Sequence, residues 1–335
     1  MAFRYEMTAA GVDSVRRVET DMSGPEPGQV QIRIRASSLN FHDFVTLSGF
    51  IPGIDYPRVP LSDGCGEITA VGEGVEGFAE GERALPLFYP QWLSGRPSKQ
   101  NKGIILGENV DGCLQEYLNI DAASVVKAPS SLTDEQAATL NCAGLTAWYA
   151  LMEEGQLTAD KTVLIQGTGG VSLFALQFAK AVGATVVATS SSEEKLRQLR
   201  EMGVDHLVNY KDNPDWEKQV MKLSGGVDLV IDVGGQTTLG RSVSCTKTDG
   251  FIAVIGVLSG FDAASVSVID VMQKNLTIKG ITVGCAESFK RMCAFVGQHA
   301  ITPCISHTVN ADNLAYGIEL MQTRKHFGKI AIRVE

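Results

Sequence analysis

Two stretches of the sequence have residue types and spacings that do chemistry on their own. The first is Gly167-Thr168-Gly169-Gly170-Val171-Ser172, directly after the apolar run Thr162-Val163-Leu164-Ile165-Gln166. A buried strand, a glycine turn and a helix start together make a pyrophosphate site. Gly167 permits the tight turn, and Gly169 keeps a Cβ out of the phosphate's way. The N–H groups opening the helix then face the negative charge. Ser172 stands where the pattern has Gly or Ala, and a serine is small enough for the strand–helix contact. The bland alternative is a glycine turn with a structural role only.

The second stretch is Thr189-Ser190-Ser191-Ser192. About 20 residues beyond the glycine loop, NAD-binding sheets carry an Asp or Glu that grips the ribose hydroxyls. Here no acid precedes Glu193, and Lys195 follows. Hydroxyls, a helix N-terminus and a lysine suit a 2′-phosphate, which a carboxylate would repel. The expected cofactor is therefore NADP(H). Against this, Ser190 or Ser191 can serve as a helix cap, with Glu193 or Glu194 completing a capping box. Those two glutamates also add negative charge nearby.

These loops need a sheet to hold them. Short Val/Ile-rich runs recur at Thr162 to Gln166, Thr185 to Thr189, His206 to Tyr210, Leu229 to Val233, Phe251 to Ile255 and Thr277 to Val283, with helical segments such as Glu193 to Met202 between them. That alternation predicts an α/β fold, a doubly wound parallel sheet covered on both faces. A helical stretch, Thr133 to Leu151, leads into it. The first ~120 residues read differently: Gln29 to Arg35 alternates with period two, and Ile68 to Gly72 and Leu114 to Ile120 are similar runs bounded by turn residues, which predicts an irregular β domain. The tail Lys329-Ile330-Ala331-Ile332-Arg333 can return to that domain. At 335 residues the chain is long enough for two cores.

Composition narrows the partners. A net charge of −9 with no basic cluster argues against nucleic acid. No apolar run approaches the ~18 residues that span a bilayer. The seven cysteines are odd in number and form no CxxC pair, so free thiols in a reducing compartment, the cytoplasm, are expected.

Several ordered motifs carry a resemblance. Ser37 to Gly49, Pro60 to Val75, Ala137 to Leu151, the glycine loop, Asp228 to Gly235 and Phe327 to Ile332 together resemble the medium-chain dehydrogenase/reductase superfamily. Within it they are most similar to the zinc-free quinone oxidoreductase, zeta-crystallin-like branch. The resemblance implies a chaperonin-10 (GroES)-like catalytic domain over 1–125 with 286–335, and a Rossmann NADP-binding domain over 126–285. It implies nicotinamide contacts from Asn40, Thr146, Gly256, Val257, Leu258, Val283, Gly284, Cys285 and Lys329. It also implies a contact of Tyr210 with the adenosine 2′-phosphate, although Tyr210 and Thr146 can equally be packing residues. A homodimer is expected through the edge strand near Thr277 to Val283.

Zinc-dependent members hold the metal with a Cys, a His and a second Cys. Those positions are Asn40, Ser62 (followed by Asp63) and Cys142 here, and one cysteine does not make a catalytic site of three ligands. An Asp43, Asp63 and Cys142 cluster is a weaker alternative. Tyr89 to Leu106 replaces the cysteine-rich structural lobe with a polar loop, either a wall of the active site or a mobile excursion. Without a Lewis acid, charge formed on hydride addition must be met by hydrogen bonds or spread within the substrate, which favours quinones and enones.

His42, Asp43 and Tyr56 are the candidate proton donors, with Asn40 orienting nicotinamide or substrate. His42 can donate near neutral pH or be a structural histidine, and Asp43 more readily fixes its loop. Phe50, Tyr56, Phe88, Trp92 and Phe261 are candidate lining residues. The expected function is NADPH-dependent reduction of a small quinone, enone or carbonyl acceptor without zinc. The alternatives are an NADP-dependent alcohol/carbonyl dehydrogenase, an enoyl reductase, or an NADPH-binding structural or regulatory protein with little turnover.

Overall fold

The structure, a computed structural model, describes residues 1–334. The chain divides into two units, Met1–Leu145 with Val283–Glu335, and Thr146–Thr282. Both divisions differ slightly from the sequence reading. Residues 126–145 go with the first unit because Asn141, buried in the helical segment, donates to the carbonyls of Gly64 (3.0 Å) and Pro86 (2.7 Å). Val283 to Cys285 join it as well.

The first unit opens with an antiparallel pair, β1 (Ala2–Met7) and β2 (Val15–Thr20). The alternating run is the start of β3 (Gln29–Ser38), which leads into α1 (Phe41–Leu47). Then come β4 (Cys65–Val71), β5 (Arg83–Pro86), β6 (Tyr117–Asp121) and β7 (Val125–Lys127). Val30, Ile32 and Ile34 of β3 are fully buried in the core with Ile68. The helical stretch runs on past Leu145 into the second unit and is less regular than its sequence suggests. After α2 (Asp134–Ala137), capped by the Thr133 hydroxyl, wider π-type turns at Leu140–Gly144 and Tyr149–Glu154 flank α3 (Leu145–Trp148).

In the second unit every expected strand is present. The order along the chain is β8 (Thr162–Gln166), α4 (Gly170–Val182), β9 (Thr185–Ser190), α5 (Glu193–Glu201), β10 (His206–Asn209) and α6 (Trp216–Ser224). It continues with β11 (Val227–Asp232), α7 (Leu239–Cys245), β12 (Thr246–Val254), α8 (Val268–Gln273) and β13 (Thr277–Gly280). The six strands are all parallel, in the order β10-β9-β8-β11-β12-β13. This is the doubly wound dinucleotide-binding order, whose direction reverses between β8 and β11, and ligands sit at the carboxyl ends of such sheets. Phe174 and Phe178 of α4 stack at 5.9 Å and are buried, each ring stabilising the fold by roughly 2–3 kcal/mol. The edge strand ends at Gly280, short of the expected Val283, which has a left-handed φ of 59°.

The tail returns to the first unit with α9 (Ala286–Gln298), β14 (Ile305–Asn310), α10 (Leu314–Gln322) and β15 (Lys329–Arg333). β15 lies antiparallel to β3, completing the sheet β14-β15-β3-β4-β5-β7 with β6 also on β3. Gly328 makes that entry possible: its φ is +77°, and a Cβ there would lie 2.2 Å from the Cys304 carbonyl oxygen. The Tyr89 to Leu106 loop is anchored. Trp92 is buried, and the carbonyls of Trp92 and Leu93 accept from the N–H groups of Ala286 (3.0 Å) and Glu287 (3.2 Å) at the start of α9. Among the described residues no helix is long and apolar enough to cross a membrane.

Candidate active site

Strand register builds the first cluster. β15 pairs with β3 as Ala331↔Ser38, so two residues on Lys329 stands opposite Asn40. β4 pairs with β3 as Ala36↔Cys65, so two residues on Ser38 stands opposite Asp63. Three chain segments thereby meet at one end of the sheet. The Lys329 ammonium, with a side chain only 4% exposed, donates to Leu39 O (2.7 Å), Asn40 Oδ1 (2.5 Å) and Asp63 Oδ2 (3.2 Å). Ser38 Oγ also donates to Asp63 Oδ2 (2.5 Å). Two buried atoms of this cluster have no partner among the described residues, Asn40 Nδ2 and Asp63 Oδ1.

Asp43 is committed to holding this arrangement. Its Oδ2 accepts from Asn40 N (2.8 Å), and its Oδ1 accepts from both the N–H and the hydroxyl of Ser62 (3.0 Å each). Burial and the neighbouring Asp63 carboxylate push its pKa up to about 6, against the pull of the Asn40 and Ser62 N–H groups and of Lys329. Both of its oxygens are occupied, and these bonds tie the Asn40 loop to Ser62. The Ser62–Asp63 segment is itself bent through Leu61 (φ 70°), whose carbonyl accepts from Cys113 N (2.8 Å).

His42 lies on α1, edge-on to Phe88 (5.1 Å between ring centroids), with Nε2 3.3 Å from a Glu108 carboxylate oxygen and 3.4 Å from Thr46 Oγ1. Burial lowers its pKa, while Glu108 and Asp63 pull the other way. Glu108 was not singled out in the sequence, since nothing in its local pattern links it to His42. Tyr56 is not brought into the cluster: it is 39% exposed. Of the candidate lining aromatics, Phe88 and Trp92 are core residues, whereas Phe50 (65%) and Phe261 (72%) are exposed. Val283, Gly284 and Cys285 are buried ahead of α9.

In the second unit the glycine turn stands between β8 and α4. Gly167 takes φ +73°, and Gly169 caps α4 without any side chain to occupy the first N–H groups of the helix. Those donors are left for an anion. Ser172 fits for a reason invisible in the pattern: its buried Oγ donates to Gln166 O (2.7 Å), tying helix to strand. Asp232, at the end of β11, accepts from Gly234 N, Gly235 N and the hydroxyls of Thr238 and Ser242. It thereby shapes a loop that bonds to the next one, Leu258 N reaching Val233 O (3.2 Å). Val257 and Leu258 are exposed beside the half-exposed Gly256, while Thr146 is buried in α3.

At the end of β9 the serines divide their work. Ser192, and neither Ser190 nor Ser191, caps α5, accepting from Lys195 N (3.4 Å). The buried Ser190 accepts from Ser192 N (3.3 Å), and Tyr210 N donates to Ser190 O (3.1 Å). Tyr210 thus stands beside the serine loop, 38% exposed. The Glu193 carboxylate accepts from Asn209 Nδ2, which draws it toward β10. No capping box forms, and Ser191 and Lys195 remain half-exposed.

Among the described residues no three His, Cys, Asp or Glu side chains gather as metal ligands. In the Asp43, Asp63 and Cys142 grouping, both Asp43 oxygens accept from Asn40 and Ser62.

Comparison with known proteins agrees with the architecture. Residues 26–130 match the alcohol dehydrogenase GroES-like domain, and residues 170–298 match the zinc-binding dehydrogenase domain. A Schizosaccharomyces pombe protein named zinc-type alcohol dehydrogenase-like protein C1773.06c is 38% identical, with 100% of both chains covered. The acryloyl-coenzyme A reductase of Metallosphaera sedula is 28% identical over 92% of this chain and 93% of its own. A crystal structure of an NAD-dependent alcohol dehydrogenase superposes with a TM-score of 0.90 at 31% identity, covering 99% of this chain and 100% of that one. With a GroES-like unit, a doubly wound unit and these relatives along its whole length, the chain belongs to the medium-chain dehydrogenase/reductase superfamily of oxidoreductases.

Proposed function

We propose that this oxidoreductase uses NADPH and, without zinc, reduces a small conjugated acceptor, a quinone or an enone. The observation that carries the reading is the donor set at the zinc positions. Asn40 and Ser62 are poor zinc ligands, and an ammonium already holds Asn40 Oδ1 and Asp63 Oδ2. A zinc ion needs three Cys, His or carboxylate ligands with an open position, and these residues do not fit it. Acceptors that spread their own developing charge are then the natural substrates.

The phosphate grip goes to Gly167, Thr168, Gly169, Gly170 and Val171, and the 2′-phosphate to Ser190, Ser191, Lys195 and Tyr210. Nicotinamide contacts go to Thr146, Gly256, Val257, Leu258 and the backbone of Val283 to Cys285, with Asn40 orienting nicotinamide or acceptor. When bound, NADPH supplies the hydride. His42 is the residue assigned to proton transfer, because an imidazole can both give and take a proton, whereas both Asp43 oxygens are occupied. The seven free cysteines support a reducing compartment, the cytoplasm.

Similarity to an acryloyl-coenzyme A reductase favours a second reading, an enoyl thioester as acceptor. The test is purified protein with NADPH against quinones, enones, enoyl thioesters and simple ketones. Conjugated acceptors should show the higher kcat/KM, by at least about tenfold. Ketones turned over faster than every conjugated acceptor would refute the reading.

We also propose a homodimer. β13 has an unpaired outer edge, and Val268, Ile269 and Met272 of the preceding helix are 68%, 66% and 70% exposed, a hydrophobic edge of the kind that pairs with a copy of itself. Sedimentation at micromolar concentration should give the mass of two chains; a single-chain mass contradicts it.

A further inference from the structure

Lys329 and Asn40 are 289 residues apart, yet each is buried against the other. An ammonium only donates, so the carbonyl end of the Asn40 amide must face Lys329. Chemistry thereby fixes an amide orientation that otherwise rests on inference from the network. The Nδ2 end carries two hydrogens and finds no acceptor, although Asn40 is only 8% exposed. A buried donor without a partner is unfavourable and calls for a ligand oxygen. Lys329 cannot serve that ligand itself, since its three N–H groups are spent on Leu39 O, Asn40 Oδ1 and Asp63 Oδ2.

We propose that Lys329 is a positioning residue whose buried ammonium clamps the Asn40 carboxamide so that Nδ2 donates to the acceptor oxygen gathering negative charge. This rests on the hydride-transfer reading above. With NADPH bound, a C–H bond would form on the acceptor as one on the reduced nicotinamide broke. The acceptor's π pair would move onto its oxygen, and one proton from His42 or solvent would complete the reduction. An amide polarised by an adjacent cation is a stronger donor, and a preorganised donor acts where the charge develops. Together they supply part of what a Lewis acid supplies in a metal enzyme.

The test uses two variants of the full chain, because Lys329→Met alone strands the buried Asp63 carboxylate and destabilises the fold. Lys329→Met with Asp63→Asn removes both charges. Both variants should lose kcat by at least about tenfold while the Kd for NADPH stays within about twofold. The double variant should regain much of the lost thermal stability without regaining kcat. Recovery of kcat together with stability overturns the assignment in favour of a purely structural ion pair. Weakened NADPH binding in step with kcat also overturns it, placing the amide on the cofactor. If wild type reduces conjugated acceptors and neither variant is impaired, the assignment alone fails. If wild type reduces none, the functional reading fails and takes the assignment with it.

Discussion

Gly169→Val should severely weaken NADPH binding while leaving the protein folded. Gly169 has φ −80° and ψ −179°, extended backbone that any residue adopts. A Cβ built there meets no heavy atom within 4 Å. Valine therefore costs the fold little. The same empty space is where a pyrophosphate must approach the start of α4. Filling it should weaken binding by at least about 10²-fold, which is roughly 2.7 kcal/mol. Gly167 is the informative contrast. With φ +73°, a valine there is strained as well, by about 1–2 kcal/mol, and should lower both stability and affinity. Calorimetry for binding and thermal denaturation for folding separate the two. Unchanged affinity in a folded Gly169→Val protein would show that the nucleotide does not use this turn.

The second large effect is a reversal of coenzyme preference by Ser190→Asp. Ser190 is the last residue of β9, where an acid would grip ribose hydroxyls. It accepts from Ser192 N, and a carboxylate can accept from the same N–H. The new charge would stand about 5 Å from a 2′-phosphate, where like charges repel by about 3 kcal/mol at an effective dielectric of ~20. NADPH affinity should drop by about 10²-fold, and NADH should gain from the new acceptor. If the ratio of the two dissociation constants does not move, the adenosine ribose lies elsewhere.

The second unit was legible in the sequence because its signals are local. Thr162 to Gln166 is an uninterrupted apolar strand, the glycines follow at once, and the later strands are short Val/Ile runs with helices between them. End residues shifted by a few positions, as at β13, where the chain turns out at Gly280. The helix cap was misplaced by one or two residues, because three consecutive serines offer the same chemistry and only the backbone at Ser192 selects one. The site in the first unit was legible only in part. Asn40, His42 and Asp43 announce themselves as a polar cluster, but Asp43 needs the distant Ser62 to complete its role. Lys329 meets Asn40 through strand register, which a single sequence does not encode. The available signal was a lysine opening a strand buried almost throughout. Glu108 reaches His42 from a loop with no periodicity. Phe88 and Trp92 belong to a polar loop by sequence, and their side chains are buried although most of residues 91–100 around Trp92 are exposed.

The most direct measurement is calorimetric titration of the wild-type protein with NADPH and, separately, with NADH. A serine loop, Lys195 and Tyr210 where a carboxylate would otherwise stand should make NADPH the tighter ligand by at least about tenfold. NADH binding as tightly as NADPH, or more tightly, would contradict the account.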